Sequence, residues 1–236
     1  MPERKELFAT RAGPSEGVPK VFVGFVHPGH VVTTFAACIW RLLLAGRFQV
    51  IVVPNFAGPN IAQSRNDLAE AFLTTDCEYM LSVDTDIEFE VDDVAKLIED
   101  DKPIVGGHYL NKYLDQEEPC PVGTVAKEGA RALRATYENL GTSEGLVQVQ
   151  GLGMGFTLIK REVMEALGTG TLWPFAEIAL LGEQLGATGM KGDELDRVHL
   201  MSEDITFCRR AFAKYGYTSW LDLDCRVGHH KTTVYR

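Results

Sequence analysis

The chain has 236 residues, of which 45% are hydrophobic and 24% charged, and it carries a formal net charge of −10. That length suits one sizeable domain with a real core, or at most two small ones, and the composition is ordinary for a globular protein. The acidic balance argues against a broad phosphate-backbone binder, and no stretch approaches the roughly 20 apolar residues of a membrane helix. The first residues, Met1-Pro2-Glu3-Arg4-Lys5-Glu6, are charged with no signal-type apolar region after them, so a cytoplasmic protein is expected. Cys38, Cys77, Cys120, Cys208 and Cys225 are odd in number and form no C-x-x-C pair, which argues against a zinc site and a disulfide framework.

Residues 1–18 read as a polar lead-in, and 19–236 as one domain. Val21–Val26 is a compact apolar run, a buried strand closed by the turn His27-Pro28-Gly29. Val31–Leu44 reads as a helix ending near Gly46, and Phe48–Val53 as a second strand ended by Pro54-Asn55. Ile61, Leu68 and Phe72 give Ile61–Leu73 a helical stripe. Tyr79–Asp86 is then a short buried strand ending in two carboxylates, followed by a short helix at Val94–Ile98 and a strand at Pro103–Val105. Strands alternating with helices predict an α/β fold with a mostly parallel central sheet.

The second half is less regular. Val147–Gln150 and Phe156–Ile159 read as strands around Gly151-Leu152-Gly153-Met154-Gly155. Arg161–Leu167 is helical, Ser202–Tyr215 is a helix stopped at Gly216, and Trp220–Val227 is a final strand. Gly168–Leu200, with Trp173 and Phe175, is rich in glycine and turn residues. That composition predicts a binding loop or lid, mobile without ligand.

Three groups of residues carry chemistry. Asp84 and Asp86 alternate with Thr85, so in extended chain they share a face at the carboxyl end of a strand, where α/β sheets bind ligands. Two carboxylates there suit a hard divalent cation, or a solvated turn. An EF-hand is excluded, because Phe89 and Ala95 stand where the loop requires glycine and glutamate. Ser202-Glu203-Asp204 opens a helix. Plain capping explains these residue types, and a rigid helix start also suits a general base. His229 follows the last strand, and a histidine joined to distant carboxylates is a common metal set. Arg65, at a polar position of its helix, is a solvated charge or a partner for diphosphate. The glycines at 151, 153 and 155 precede a strand-like run rather than a helix, which excludes a nicotinamide site. They let backbone approach a sugar or a neighbouring strand.

In this order and spacing, the segments resemble those of GT-A fold glycosyltransferases, family-2-like members especially. Gln63-Ser64-Arg65-Asn66 is similar to the family's A-R-N segment, and Leu81–Asp86 to its D-x-D strand. Gly153–Arg161 is similar to its G-x-x-L-x-R-R segment. Ser202–Ala211 with Gly216-Tyr217 is similar to its E-D-x-x-F-x-x-R…G-Y segment, and Arg226–His229 to its terminal metal-histidine motif. The resemblance implies a single Rossmann-like domain with a nucleotide-binding half over 19–107 and an acceptor-binding half over 108–236.

It also implies a nucleotide-diphospho-sugar donor and a divalent metal, Mn²⁺ or Mg²⁺. Asp84 would contact the ribose or the metal, Asp86 and His229 would ligate the metal, and Asp204 would be the base with Glu203 beside it. His27, Pro28 and Arg65 would hold the nucleotide, and Gly153, Gly155 and Trp173 are further substrate-binding positions. Pro54-Asn55-Phe56 stands where the family often has a base-reading aspartate. That puts Asn55 against the base and leaves UDP-sugar as the default donor. The acceptor stays open among a glycan, a protein, a lipid-linked sugar, a small molecule and a hydroxylated DNA base. The alternatives are a nucleotidyltransferase on a related sheet and a non-catalytic nucleotide-sugar-binding module.

Overall fold

A computed structural model of the chain describes residues 10–12, 17–58, 60–110, 123–125, 133–168, 174–175, 178–179 and 200–230. In chain order the elements are β1 (Thr10–Ala12), β2 (Lys20–His27), α1 (Thr33–Leu44), β3 (Gln49–Phe56), α2 (Ile61–Leu73) and β4 (Tyr79–Val83). Next come β5 (Ile87–Glu88), α3 (Val91–Glu99), β6 (Ile104–His108), β7 (Gly123–Val125), β8 (Leu133–Arg134) and α4 (Tyr137–Leu140). The rest are β9 (Leu146–Val149), β10 (Gly151–Leu152), β11 (Phe156–Lys160), α5 (Arg161–Gly168), β12 (Ile178–Ala179), β13 (Leu200–Met201), α6 (Glu203–Tyr215), β14 (Ser219–Arg226) and β15 (Gly228–His229).

Eight strands form one sheet in the order β1-β3-β2-β4-β11-β6-β14-β9. The pairs β2–β3, β2–β4 and β6–β14 are parallel, while β11 runs antiparallel to both β4 and β6. Five strands therefore point one way, and β1, β11 and β9 point the other. The predicted α/β class holds. What periodicity could not show is that β11, the run after Gly155, is a reversed strand in the middle of the sheet.

The helices cover both faces because the strands are apolar on both. Val21 and Val23 of β2 point into one core with Phe35, Cys38 and Leu42 of α1 and Val94 and Leu97 of α3. Phe22 points into the other, with Leu68 and Phe72 of α2, Met164 of α5 and Phe207 of α6. Alternate residues of one strand thus feed opposite layers. Phe72 is fully buried, and its truncation to alanine would cost about 3–5 kcal/mol.

Local signals explain most element ends. The Asn60 side chain accepts from Gln63 N at 3.2 Å and opens α2. Glu90 and Asp93 form a capping box that starts α3 three residues earlier than its apolar stripe suggested. Gly216, with φ 75°, closes α6 where a left-handed residue was expected. β3 runs on through Pro54 to Phe56, beyond its predicted end. Its partner β1 stops opposite Val52, so Pro54's missing N–H forfeits no bond to that strand.

Cys38, Cys77, Cys208 and Cys225 are free and buried, and Cys120 lies outside the described residues. No helix among the described residues is long and apolar enough to cross a membrane.

Candidate active site

The site gathers at the carboxyl ends of β2, β4, β6 and β14. The strand β4 stops at Val83, and residues 84–87 turn, with Ile87 N donating to Asp84 O at 3.1 Å. Asp84 and Asp86 therefore do not share a face of extended chain as expected. The turn sends the Asp84 carboxylate toward Arg65 and the Asp86 carboxylate toward His229.

Asp84 faces α2. Its Oδ1 lies 3.4 Å from Arg65 Nη2, while Arg65 Nη1 donates to Glu203 Oε1. Arg65 and Glu203 are both buried. Burial alone would push the Arg65 guanidinium down, but Asp84 and Glu203 outweigh it and hold it above its ordinary value. Arg65 is thus neither a solvated charge nor a free diphosphate clamp. It ties the D-x-D turn to the start of α6.

Asp86 faces the chain's last described strand. β5 and β15 pair antiparallel, with His229 opposite Ile87 and Gly228 opposite Glu88. His230 N donates to Asp86 O at 2.8 Å, and His230 Nε2 lies 2.9 Å from Glu88 Oε2. This ladder sets His229 Nε2 3.7 Å from Asp86 Oδ1. The other ring nitrogen, Nδ1, lies 2.7 Å from Leu110 O. A carbonyl can only accept, so Nδ1 carries a proton and Nε2 is the nitrogen that faces Asp86. One nitrogen and one carboxylate oxygen at this separation fit two ligands of one Mn²⁺-type cation, with the backbone carbonyl orienting the histidine. Among the described residues, no group of three or more His, Cys, Asp or Glu side chains is gathered for a metal.

At the start of α6, the Ser202 carbonyl accepts from Thr206 N at 3.0 Å, but its side chain makes no capping hydrogen bond to the helix. Its hydroxyl donates instead to Asp204 Oδ1, which also accepts from Ile205 N at 2.7 Å. Glu203 turns inward to Arg65 and leaves Asp204 half-buried at the rim. The two adjacent acids therefore sit in different surroundings.

Of the other predicted positions, Gly155 has no room for a side chain. A Cβ there would lie 2.6 Å from Tyr109 Oη and 3.2 Å from Asp84 Oδ2. Its carbonyl accepts from Asp84 N at 2.9 Å, so the close approach is to a neighbouring strand. Gly153 O accepts from Thr157 Oγ1 at 2.8 Å. Asn55 is half-buried and turns its Nδ2 toward α2, donating to Ser64 O at 2.8 Å. The aromatic next to it, Phe56, is 61% exposed and meets His27 edge-on at 5.9 Å. Gly29 N donates to His27 Nδ1 at 3.1 Å, and Pro28 is exposed. Arg161 caps the far end of α2, donating to the carbonyls of Phe72, Thr75 and Cys77, away from the site.

Trp173 lies outside the described residues, as does most of Gly168–Leu200. Within that segment Phe175 is anchored. Its backbone exchanges two hydrogen bonds with the Asn66 side chain, at 2.6 and 2.8 Å, and its ring stacks on Phe207 at 4.6 Å.

Sequence reading missed Asn66 as an anchor, and it missed Tyr109 beside the metal-type pair. Asn66 sits inside the A-R-N-like segment, and Tyr109 directly follows an apolar strand, but neither has a spacing signal of its own.

No protein-family profile and no curated protein matches this chain. Solved structures do. A197 from STIV has a TM-score of 0.50 and 16% identity over 92% of this chain and 97% of its own. GalNAc-T7, solved with UDP, GalNAc and Mn²⁺, has a TM-score of 0.53 and 13% identity over 91% of this chain. The match spans 44% of that longer chain. These likenesses show the fold: the protein has a GT-A-like, Rossmann-type α/β architecture.

Proposed function

We propose that this protein is a metal-dependent glycosyltransferase that moves a sugar from a nucleotide-diphospho-sugar to a hydroxyl acceptor with inversion. The observation that carries the reading is the pairing of Asp86 Oδ1 with His229 Nε2 at 3.7 Å, at the carboxyl ends of the strands where Asp84, held by Arg65, also turns. Two protein ligands leave room for phosphate oxygens and water, a common arrangement for cations that bind together with a diphosphate. The cation, Mn²⁺ or Mg²⁺, would stabilise negative charge on the departing nucleoside diphosphate.

The chain's own groups do the rest. Asp84, pinned by Arg65, turns its exposed edge to the ribose hydroxyls. Phe56 and His27 offer an aromatic rim to the base, where the family-type aspartate is lacking. Asp204 accepts the acceptor's proton as the hydroxyl attacks the sugar carbon. GalNAc-T7 was solved with UDP and Mn²⁺, which supports the same donor class here.

The test is donor turnover. The protein is incubated with Mn²⁺ and a panel of UDP-, GDP-, CDP- and dTDP-sugars, and nucleoside diphosphate release is measured with and without EDTA. Release from one donor, abolished by EDTA, is expected. Release of pyrophosphate from a nucleoside triphosphate and a sugar phosphate would replace this reading with a nucleotidyltransferase.

A further inference from the structure

Tyr109 is 5% exposed and directly follows β6. Its ring belongs to the apolar layer with Val105, Phe156 and Cys225, so packing alone would be met by phenylalanine. What needs explaining is the hydroxyl. Oη accepts from Gly155 N at 3.0 Å, and the carbonyl of the same glycine accepts from Asp84 N at 2.9 Å. Tyr109 Oη and Asp84 Oδ2 both lie within 3.2 Å of the point where a Gly155 side chain would begin. On its other side the ring meets the His229 imidazole edge-on at 5.3 Å, at the histidine whose Nδ1 is held by the next residue, Leu110.

We infer that Tyr109 is a positioning residue that sets the register between the two arms of the site, Asp84 on the nucleotide side and His229 on the cation side. The inference rests on the functional reading above. The division of labour follows from the two ends of the side chain. The ring fixes the plane of His229, and so the direction of its Nε2. The hydroxyl fixes the Gly155 peptide against which Asp84 docks. The hydroxyl accepts the Gly155 N–H at 3.0 Å, and the carbonyl of that glycine holds Asp84 N at 2.9 Å, so one peptide links the tyrosine to the Asp84 turn.

The experiment separates the two ends. Tyr109→Phe keeps the ring and removes the hydroxyl, and Tyr109→Leu removes both. For each purified protein, Mn²⁺ affinity is measured by electron paramagnetic resonance. UDP and GDP affinities are measured by calorimetry with Mn²⁺ present, and the melting temperature alongside. Tyr109→Phe should bind Mn²⁺ within about twofold of wild type, yet lose about tenfold in affinity for whichever diphosphate the wild type binds. Tyr109→Leu should lose about tenfold or more in both.

Diphosphate affinity unchanged in the phenylalanine variant, or Mn²⁺ affinity unchanged in the leucine variant, overturns the assignment. So does a loss of both affinities in the phenylalanine variant that tracks a fall in melting temperature, which is what a purely structural role predicts. A wild-type protein that binds neither Mn²⁺ nor a diphosphate overturns the functional reading itself, and this inference with it.

Discussion

At the residue scale, two neighbouring acids at one helix start sit in different surroundings. Glu203 is buried against Arg65, while Asp204 stays at the rim with Ser202 and Ile205 N as donors. Asp204→Asn keeps the shape and removes proton acceptance. Transfer should fall by about 10²–10⁴-fold, with Mn²⁺-dependent diphosphate binding unchanged. Near-wild-type turnover, measured as nucleotide release, would leave Asp204 only as a cap. The Arg65–Glu203 pair has the opposite signature, one of stability. Removing one partner strands a buried charge, so Arg65→Met should cost about 3–5 kcal/mol in urea unfolding. Replacing both, as Arg65→Met with Glu203→Leu, should recover part of that loss. Single and double variants of equal stability would show that the charges do not interact.

At the element scale, the helices and their ends were largely readable, because capping residues and apolar stripes are local signals. Ile61–Leu73 and the stop at Gly216 are where the sequence placed them. The short ladder of β5 and β15 was not readable. It is two residues long on each side and depends on a pairing between the D-x-D turn and the chain's last described strand. The same limit hid the contact between α3 and β14. Asp100, at the end of α3, is pushed up to about 6 by burial first and by Asp222 of β14 next, with Lys96 opposing. A carboxyl whose folded pKa is raised favours the native state while it is protonated. That contribution is full below about pH 4 and is lost as the pH rises through about 6. Asp100→Asn should therefore flatten the fall in stability between pH 4 and 6. With screening of a partly exposed group, it should raise stability at pH 7 by about 1 kcal/mol. Urea melts at pH 4, 5, 6 and 7 check this, and an unchanged slope would contradict it.

At the scale of the whole molecule, the strand–helix alternation of the first half made the α/β class legible, since each strand alternates large apolar residues toward two cores. The reversed β11 in mid-sheet was not, because direction leaves no trace in a five-residue apolar run. The site was legible in the same uneven way. The types and order of Asp84, Asp86, Asp204 and His229 pointed to chemistry at strand and helix ends. Their division between Asp84 beside Arg65 and Asp86 beside His229 required the turn at 84–87. The central claim is that Asp86 and His229 hold one cation together with a diphosphate. Its most direct test is diffraction at the manganese absorption edge from crystals soaked with Mn²⁺ and UDP. The prediction is a single anomalous peak about 2.0–2.3 Å from His229 Nε2 and an Asp86 carboxylate oxygen, in contact with UDP phosphate oxygens. A peak elsewhere on the molecule, or UDP bound in the crevice with no manganese between these two side chains, would contradict the account.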